Sequence, residues 1–222
     1  ADEKHPQYTT SPACQSCHQA EYEAWSGSHH SWAWREPTAD NVLGDYDNAS
    51  FEHAGFTYRF ITEGKDYFVV ADNASGDSSK YKVHSVVGVT PLQQYLVETD
   101  KGRLQALDVS WDTKRQRWYH LYPDERVDHA DPLHWTGPYQ NWNTRCAECH
   151  STDLQKNYDG KTRSFDTTFS EVNVGCEACH GPGAAHVAEP SAGNINQIEF
   201  DWYDPDGDGM PDPVDLRSSI VC

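Results

Sequence analysis

Apolar and polar residues alternate only in the middle of this chain. Phe56-Thr57-Tyr58-Arg59-Phe60-Ile61 and Tyr67-Phe68-Val69-Val70 are rich in β-branched and aromatic residues, and Glu63-Gly64-Lys65-Asp66 between them reads as a hairpin turn. The pattern continues through Tyr81 to Val89, Gln94 to Glu98, Arg103 to Trp111 and Arg117 to Leu121, with turns at Asp100-Lys101-Gly102 and Asp112-Thr113-Lys114. These spacings predict an antiparallel sheet over residues 51–122, without cysteines of its own, that serves as a scaffold or spacer holding the flanking segments apart. On either side the alternation stops. Residues 1–50 predict one short helix near Gln19–Trp25, residues 123–190 predict loops and short helices, and residues 191–222 form a polar C-terminal segment. The expected class is α+β with much irregular structure: an antiparallel β insertion and a few short helices.

Composition deepens the problem of what fills the interior. Of the 222 residues only 36% are hydrophobic, although there are 8 Trp and 12 Tyr, and the mean hydropathy is -0.83. A chain so poor in aliphatic residues needs something else in its core, and large flat macrocycles would serve. The formal net charge is -18, with 35 acidic against 17 basic residues. That excess argues against nucleic acid or an anionic membrane surface as partner. No apolar run approaches the roughly 18 residues of a membrane span. Ala1-Asp2-Glu3-Lys4 reads as a mature end left after removal of a leader.

Six of the seven cysteines fall into one repeated pattern: Cys14-Gln15-Ser16-Cys17-His18, Cys146-Ala147-Glu148-Cys149-His150 and Cys176-Glu177-Ala178-Cys179-His180. C-x-x-C-H is the attachment signature of c-type haem. Two thiols on one turn reach the two vinyl groups of the macrocycle, and the His that follows lies beneath the iron as its proximal ligand. Paired cysteines also build zinc ribbons, but those need no His directly after each pair. A thioredoxin-type redox pair is single, and a disulfide framework does not repeat one five-residue unit. Three haems c are therefore expected, in the periplasm, at the cell surface or outside the cell. Cys222, the last residue, reads as the opening of a fourth motif, as half of an intermolecular disulfide, or as an exposed thiol; the first reading is preferred.

Three of the 12 His are the proximal ligands, and the chain has one Met, Met210, so His/Met ligation cannot serve three haems. Bis-His coordination follows, with lower potentials than His/Met sites. Three further candidates stand out as distal ligands. His186 follows His180 across Gly181-Pro182-Gly183, a link too short to carry it around its own haem, so it is expected to cap a neighbour. His30 follows the predicted helix after His18, and His134 lies shortly before the second motif. The second and third motifs are separated only by residues 151–175, so their haems should be near neighbours.

Trp25-Ser26-Gly27-Ser28-His29-His30 resembles the W-x-x-S-x-H segment of multihaem cytochromes c, and Cys176 to His186 resembles their C-x-x-C-H-G-P-G-x-x-H segment. Pro91-Leu92-Gln93-Gln94-Tyr95-Leu96, Trp118-Tyr119-His120-Leu121-Tyr122-Pro123 and Asp131-Pro132-Leu133-His134-Trp135-Thr136-Gly137 are similar to haem domains often fused to tetratricopeptide repeats, in the group that includes the tetrahaem cytochrome of nitrifiers. The resemblance runs from about Ser11 to Val187. It implies a multihaem electron carrier with stacked bis-His haems, with His30 rather than His29 and His186 as ligands. A further C-x-x-C-H is absent unless Cys222 begins it, and no tetratricopeptide repeats follow.

Near the C-terminus Asp204, Asp206, Asp208, Asp212 and Asp215 fall at positions 1, 3, 5, 9 and 12 of a calcium loop, with Gly209 at 6 and the carbonyl of Met210 at 7. Flanking prolines make this an isolated calcium loop rather than an EF-hand. The functional expectation is an electron carrier without chemistry of its own, meeting redox partner proteins. A reductase of a small nitrogen or sulfur oxyanion at an open haem is the alternative. A third reading is a subunit of an extracellular filament, with His5 or Cys222 at the contact between copies.

Overall fold

A computed structural model describes residues 7–196. The first helix, α1 (Gln19–Ser26), lies one residue beyond the first motif. Its sequence is rich in helix formers, yet no residue of it is buried. It is docked instead by the Trp25 indole N–H, which donates to the Val174 carbonyl at 2.8 Å.

The middle of the chain forms β1 (Asp47–His53), β2 (Phe56–Glu63), β3 (Asp66–Asp72), β4 (Ser78–Val87), β5 (Leu92–Glu98), β6 (Leu104–Ala106), β7 (Val109–Asp112) and β8 (Arg117–His120). All pairings are antiparallel. The order is β1-β2-β3-β4-β5-β7-β8, with β6 also on β5. The hairpin turn expected at Glu63–Asp66 is present, and Gly64 supplies the left-handed φ of 63° that it requires.

Two expectations need correction. The sheet starts at Asp47, within the segment assigned to the first haem motif. The run Arg103–Trp111 is two strands, not one, because the chain kinks at Leu107-Asp108. There the Asp108 side chain turns inward to accept a hydrogen bond from the Tyr58 hydroxyl at 2.9 Å.

Each face of the sheet has its own core. Tyr58, Phe60, Val69, Val83, Val86, Tyr95, Val97, Trp111 and Trp118 face one side, where Trp135 from the following loop packs over them. The Trp135 ring meets Tyr81 edge-on, and its indole N–H donates to the Asp72 carbonyl at 3.0 Å. The other face carries Leu96, Leu104 and Ala106, with Trp34, Trp142 and Ala147 packed on them. The register explains the split: Leu96 pairs with Ala106 and Glu98 with Leu104, so these residues share a face, while the intervening Val97 points to the other core.

Beyond the sheet lie α2 (Trp142–Arg145), α3 (Ala147–His150), β9 (Ser151–Thr152), β10 (Tyr158–Asp159), β11 (Ser164–Phe165), β12 (Glu171–Val172), α4 (Cys176–His180) and α5 (Ala184–Ala188). The helices are short, as expected. The small pairs β10–β11 and β9–β12 were not. Two-residue strands carry no periodicity that a sequence could display.

Candidate haem-binding site

Each C-x-x-C-H unit is wound into a single helical turn. In the first, the amides of Cys17 and His18 donate to the Cys14 carbonyl at 3.2 and 2.9 Å; in the second, those of Cys149 and His150 donate to the Cys146 carbonyl, both at 3.1 Å. The third unit is α4 itself. In all three the first Cys is half-buried and the second exposed. One thiol is thus anchored while the other faces outward, as attachment to the edge of a macrocycle needs.

Two of the three motif His rings are held by backbone carbonyls, as metal-ligating His usually are. His150 Nδ1 lies 2.7 Å from the Ala33 carbonyl and His180 Nδ1 lies 3.0 Å from the Asn196 carbonyl. A carbonyl only accepts, so Nδ1 carries the proton and Nε2 the ligating lone pair in each. The donor set, with these two tautomers, fits haem c: the thiols of Cys14, Cys17, Cys146, Cys149, Cys176 and Cys179 would form the thioether links, and His18, His150 and His180 would supply imidazole nitrogens. Bound there, the group supplies a one-electron Fe(III)/Fe(II) couple.

The third motif touches both others. Toward the second, β9 pairs with β12, and the Gly175 amide donates to Thr152 Oγ1 at 3.0 Å. Toward the first, Ser11 and the residues before it lie directly on α4. Ser11 Oγ accepts from the Cys176 amide at 2.9 Å, and the Ser11 amide and hydroxyl donate to Glu171 Oε2 at 2.9 and 2.8 Å.

Glu177, 2% exposed, accepts from the Thr9 amide with both oxygens at 2.9 Å, from the Thr10 amide at 2.7 Å and from the Gly183 amide at 2.6 Å. This seam brings the first cysteines of motifs one and three together. Burial pushes the Cys14 thiol up to about 11, and Cys176, in hydrogen-bond contact, is the next contributor, followed by Glu177 and Glu171. The sheet therefore does not hold the first haem segment away from the third.

The candidate distal ligands separate in space. The ring of His186 stands 6.2 Å from that of His18, centroid to centroid, with 29° between their planes. Its Nδ1 faces the Ser191 carbonyl at 3.1 Å and Asn194 Oδ1 at 3.0 Å. His30 lies on the outer surface of the turn after α1, and its carbonyl accepts from the Val174 amide just before the third motif.

His134 is elsewhere. It is buried against Phe56, His129 and Trp135, with Nδ1 2.8 Å from Thr136 Oγ1, and none of these neighbours belongs to a C-x-x-C-H unit. Burial, the first cause, pulls its pKa below the usual value for His. The same end of the sheet holds a network that sequence reading passed over. His120 Nε2 lies 3.4 Å from Asp108 Oδ2, and the His53 ring stacks on His120 at 4.0 Å.

Ser11, Glu171 and Glu177 were also missed. In a chain with 35 acidic residues, nothing in the sequence distinguishes these two carboxylates from solvated ones. Their only signal is that Glu177 sits inside a haem motif. The calcium-loop residues Asp204, Asp206, Asp208, Met210, Asp212 and Asp215, together with His5 and Cys222, lie outside the described residues. Among the described residues no group of three or more His, Cys, Asp and Glu could by itself hold a metal ion, and no helix is long and apolar enough to cross a membrane.

Two solved structures resemble this fold. The outer cell wall cytochrome OcwA matches with a TM-score of 0.55 and 21% identity, over 88% of this chain and 35% of its own. The undecahaem cytochrome from the S-layer of Carboxydothermus ferrireducens matches with a TM-score of 0.55 and 21% identity, over 86% of this chain and 23% of its own. The chain thus spans about a third or less of the structures it matches. No curated protein matches it. The family described as cytochrome c554 and c-prime matches residues 13–52 and 109–181, which hold all three haem motifs, while most of the sheet falls in the gap between the two segments. With more than half of its residues matched and three C-x-x-C-H turns folded against one another, the chain belongs to the cytochrome c554 and c-prime family.

Proposed function

We propose that this chain works as a multihaem c-type cytochrome that relays electrons at the cell surface through three bis-His haems. The observation that carries the reading is the position of the third motif, in contact with both others through the Ser11 seam and through β9–β12. A relay needs neighbouring redox centres, and this packing supports the order first, third, second rather than the order along the chain. Bis-His ligation is supported by His18 and His186. Two imidazoles on opposite sides of one iron have ring centroids about 6 Å apart, from ordinary metal–nitrogen bonds of roughly 2 Å, and these two stand at 6.2 Å. His186 then caps the first haem rather than its own. A surface location is supported by the cell-wall and S-layer origin of the two similar structures.

Electron transfer without catalysis requires every haem to be low-spin. Optical and EPR spectra of the purified holoprotein are expected to show low-spin haem only, with no binding of carbon monoxide. A high-spin component with ligand binding, together with turnover of nitrite, hydroxylamine or tetrathionate, would replace this reading with that of a reductase.

A further inference from the structure

We propose that Glu177 sets the reduction potentials of the first and third haems by holding a negative charge in the seam between them. The inference rests on reading those motifs as haem-bearing, and it concerns a residue with no attachment or ligand role. Glu177 is the residue after Cys176, is 2% exposed, and meets only N–H donors: Thr9 and Thr10 ahead of the first motif and Gly183 behind the third. Among the described residues no Lys or Arg lies within hydrogen-bond distance of it. Its donors Thr9 and Thr10 lie four to five residues ahead of Cys14, and Ser11, which follows them, accepts from the Cys176 amide, so the carboxylate sits where the first and third motifs meet.

A buried charge acts through a low effective dielectric and is weakly screened by salt. Reduction of a ferric haem adds one electron and removes one positive charge from the iron, so a fixed carboxylate beside the macrocycle opposes it and lowers the potential.

The second motif supplies an internal control. Glu148 also lies between its two cysteines, but its side chain is 69% exposed and is paired with Lys156 at 3.0 Å. An exposed, compensated charge of this kind has little effect on its surroundings.

The test is spectroelectrochemical titration of the holoprotein between dithionite and ferricyanide, with a haem count on each variant. Glu177→Gln keeps the shape of the side chain and removes its charge. Two of the three redox components are expected to shift upward, each favouring the ferrous form by about tenfold, the size Coulomb's law gives for one charge removed at about 10 Å and an effective dielectric near 20. The shift should persist at high salt. Glu148→Gln should leave all components in place. Glu177→Asp, which shortens the side chain but retains the charge, should stay near wild type even where stability falls; if the Gln variant does not accumulate, Glu177→Ala, which also removes the charge, takes its place.

An unshifted Gln variant, an equal shift in all three components, or an Asp variant shifted like a charge loss would overturn the proposal. A wild-type holoprotein lacking haem at the first or third motif would instead overturn the underlying assignment.

Discussion

Gly175 is the tightest point of the seam, and its substitution measures what the seam contributes. A Cβ at this position would fall inside contact distance of Glu171 Oε2 and 2.7 Å from Ser11 Oγ. The backbone is no obstacle, because φ is -77° and any residue adopts it. The cost of Gly175→Ala is therefore steric. Overpacking by a methyl group costs about 1–3 kcal/mol. Moving Glu171 and Ser11 apart weakens the two hydrogen bonds from Ser11 to that carboxylate, which at full strength are worth roughly 1.5–3 kcal/mol each. Part of that is recovered, since Glu171 is half-buried and regains water, although Ser11 is fully buried. We expect a net loss of about 3–5 kcal/mol, read by guanidinium denaturation of the holoprotein, with a fall in melting temperature of roughly 10 °C for a domain of this size. Ser11→Ala removes one of the two clashing atoms, so the double variant should lose less than the sum of the single ones. A loss under 1 kcal/mol, or strict additivity with Ser11→Ala, would show that the first and third motifs are not packed as described.

Two other substitutions separate haem ligation from core packing. His186→Ala should convert one haem, the first, to a high-spin form that binds added imidazole, while His134→Gln should leave every haem low-spin. His134 should matter to stability instead. Burial lowers its pKa in the folded state, so the unfolded chain takes up the proton first as pH falls. Its contribution is complete at neutral pH and declines as pH drops below about 6.5 toward the folded value. Urea titrations between pH 7.5 and 5 should show that slope in the wild type and a shallower one in His134→Gln; equal slopes would refute the assignment of this group.

The sequence and the folded molecule divide the explanation unevenly. Haem attachment was legible at once, because C-x-x-C-H is a local requirement: two thiols and an imidazole on one turn need only five consecutive residues. The strands around Phe56–Ile61 and Tyr67–Val70 were legible for a similar reason, since alternation and a Gly-containing turn are local signals. The break at Leu107-Asp108 was not, because it depends on Tyr58, fifty residues away, offering its hydroxyl to Asp108. His134 shows the limit in reverse: its place in sequence, just before the second motif, suggested a ligand, and folding buries it beside Phe56 and His129 instead.

What the sequence alone determined is the chemistry each segment can carry: three C-x-x-C-H units, a surplus of imidazoles, and a sheet between them. Only the tertiary structure decided which anchors meet. Cys14 and Cys176 are neighbours because backbone amides at Thr9, Thr10 and Ser11 find their acceptors on Glu177 and Glu171, more than 150 residues along the chain. Hydrogen bonds between segments so far apart leave no periodicity and no spacing in the sequence, so the order in which the three motifs adjoin is a property of the fold.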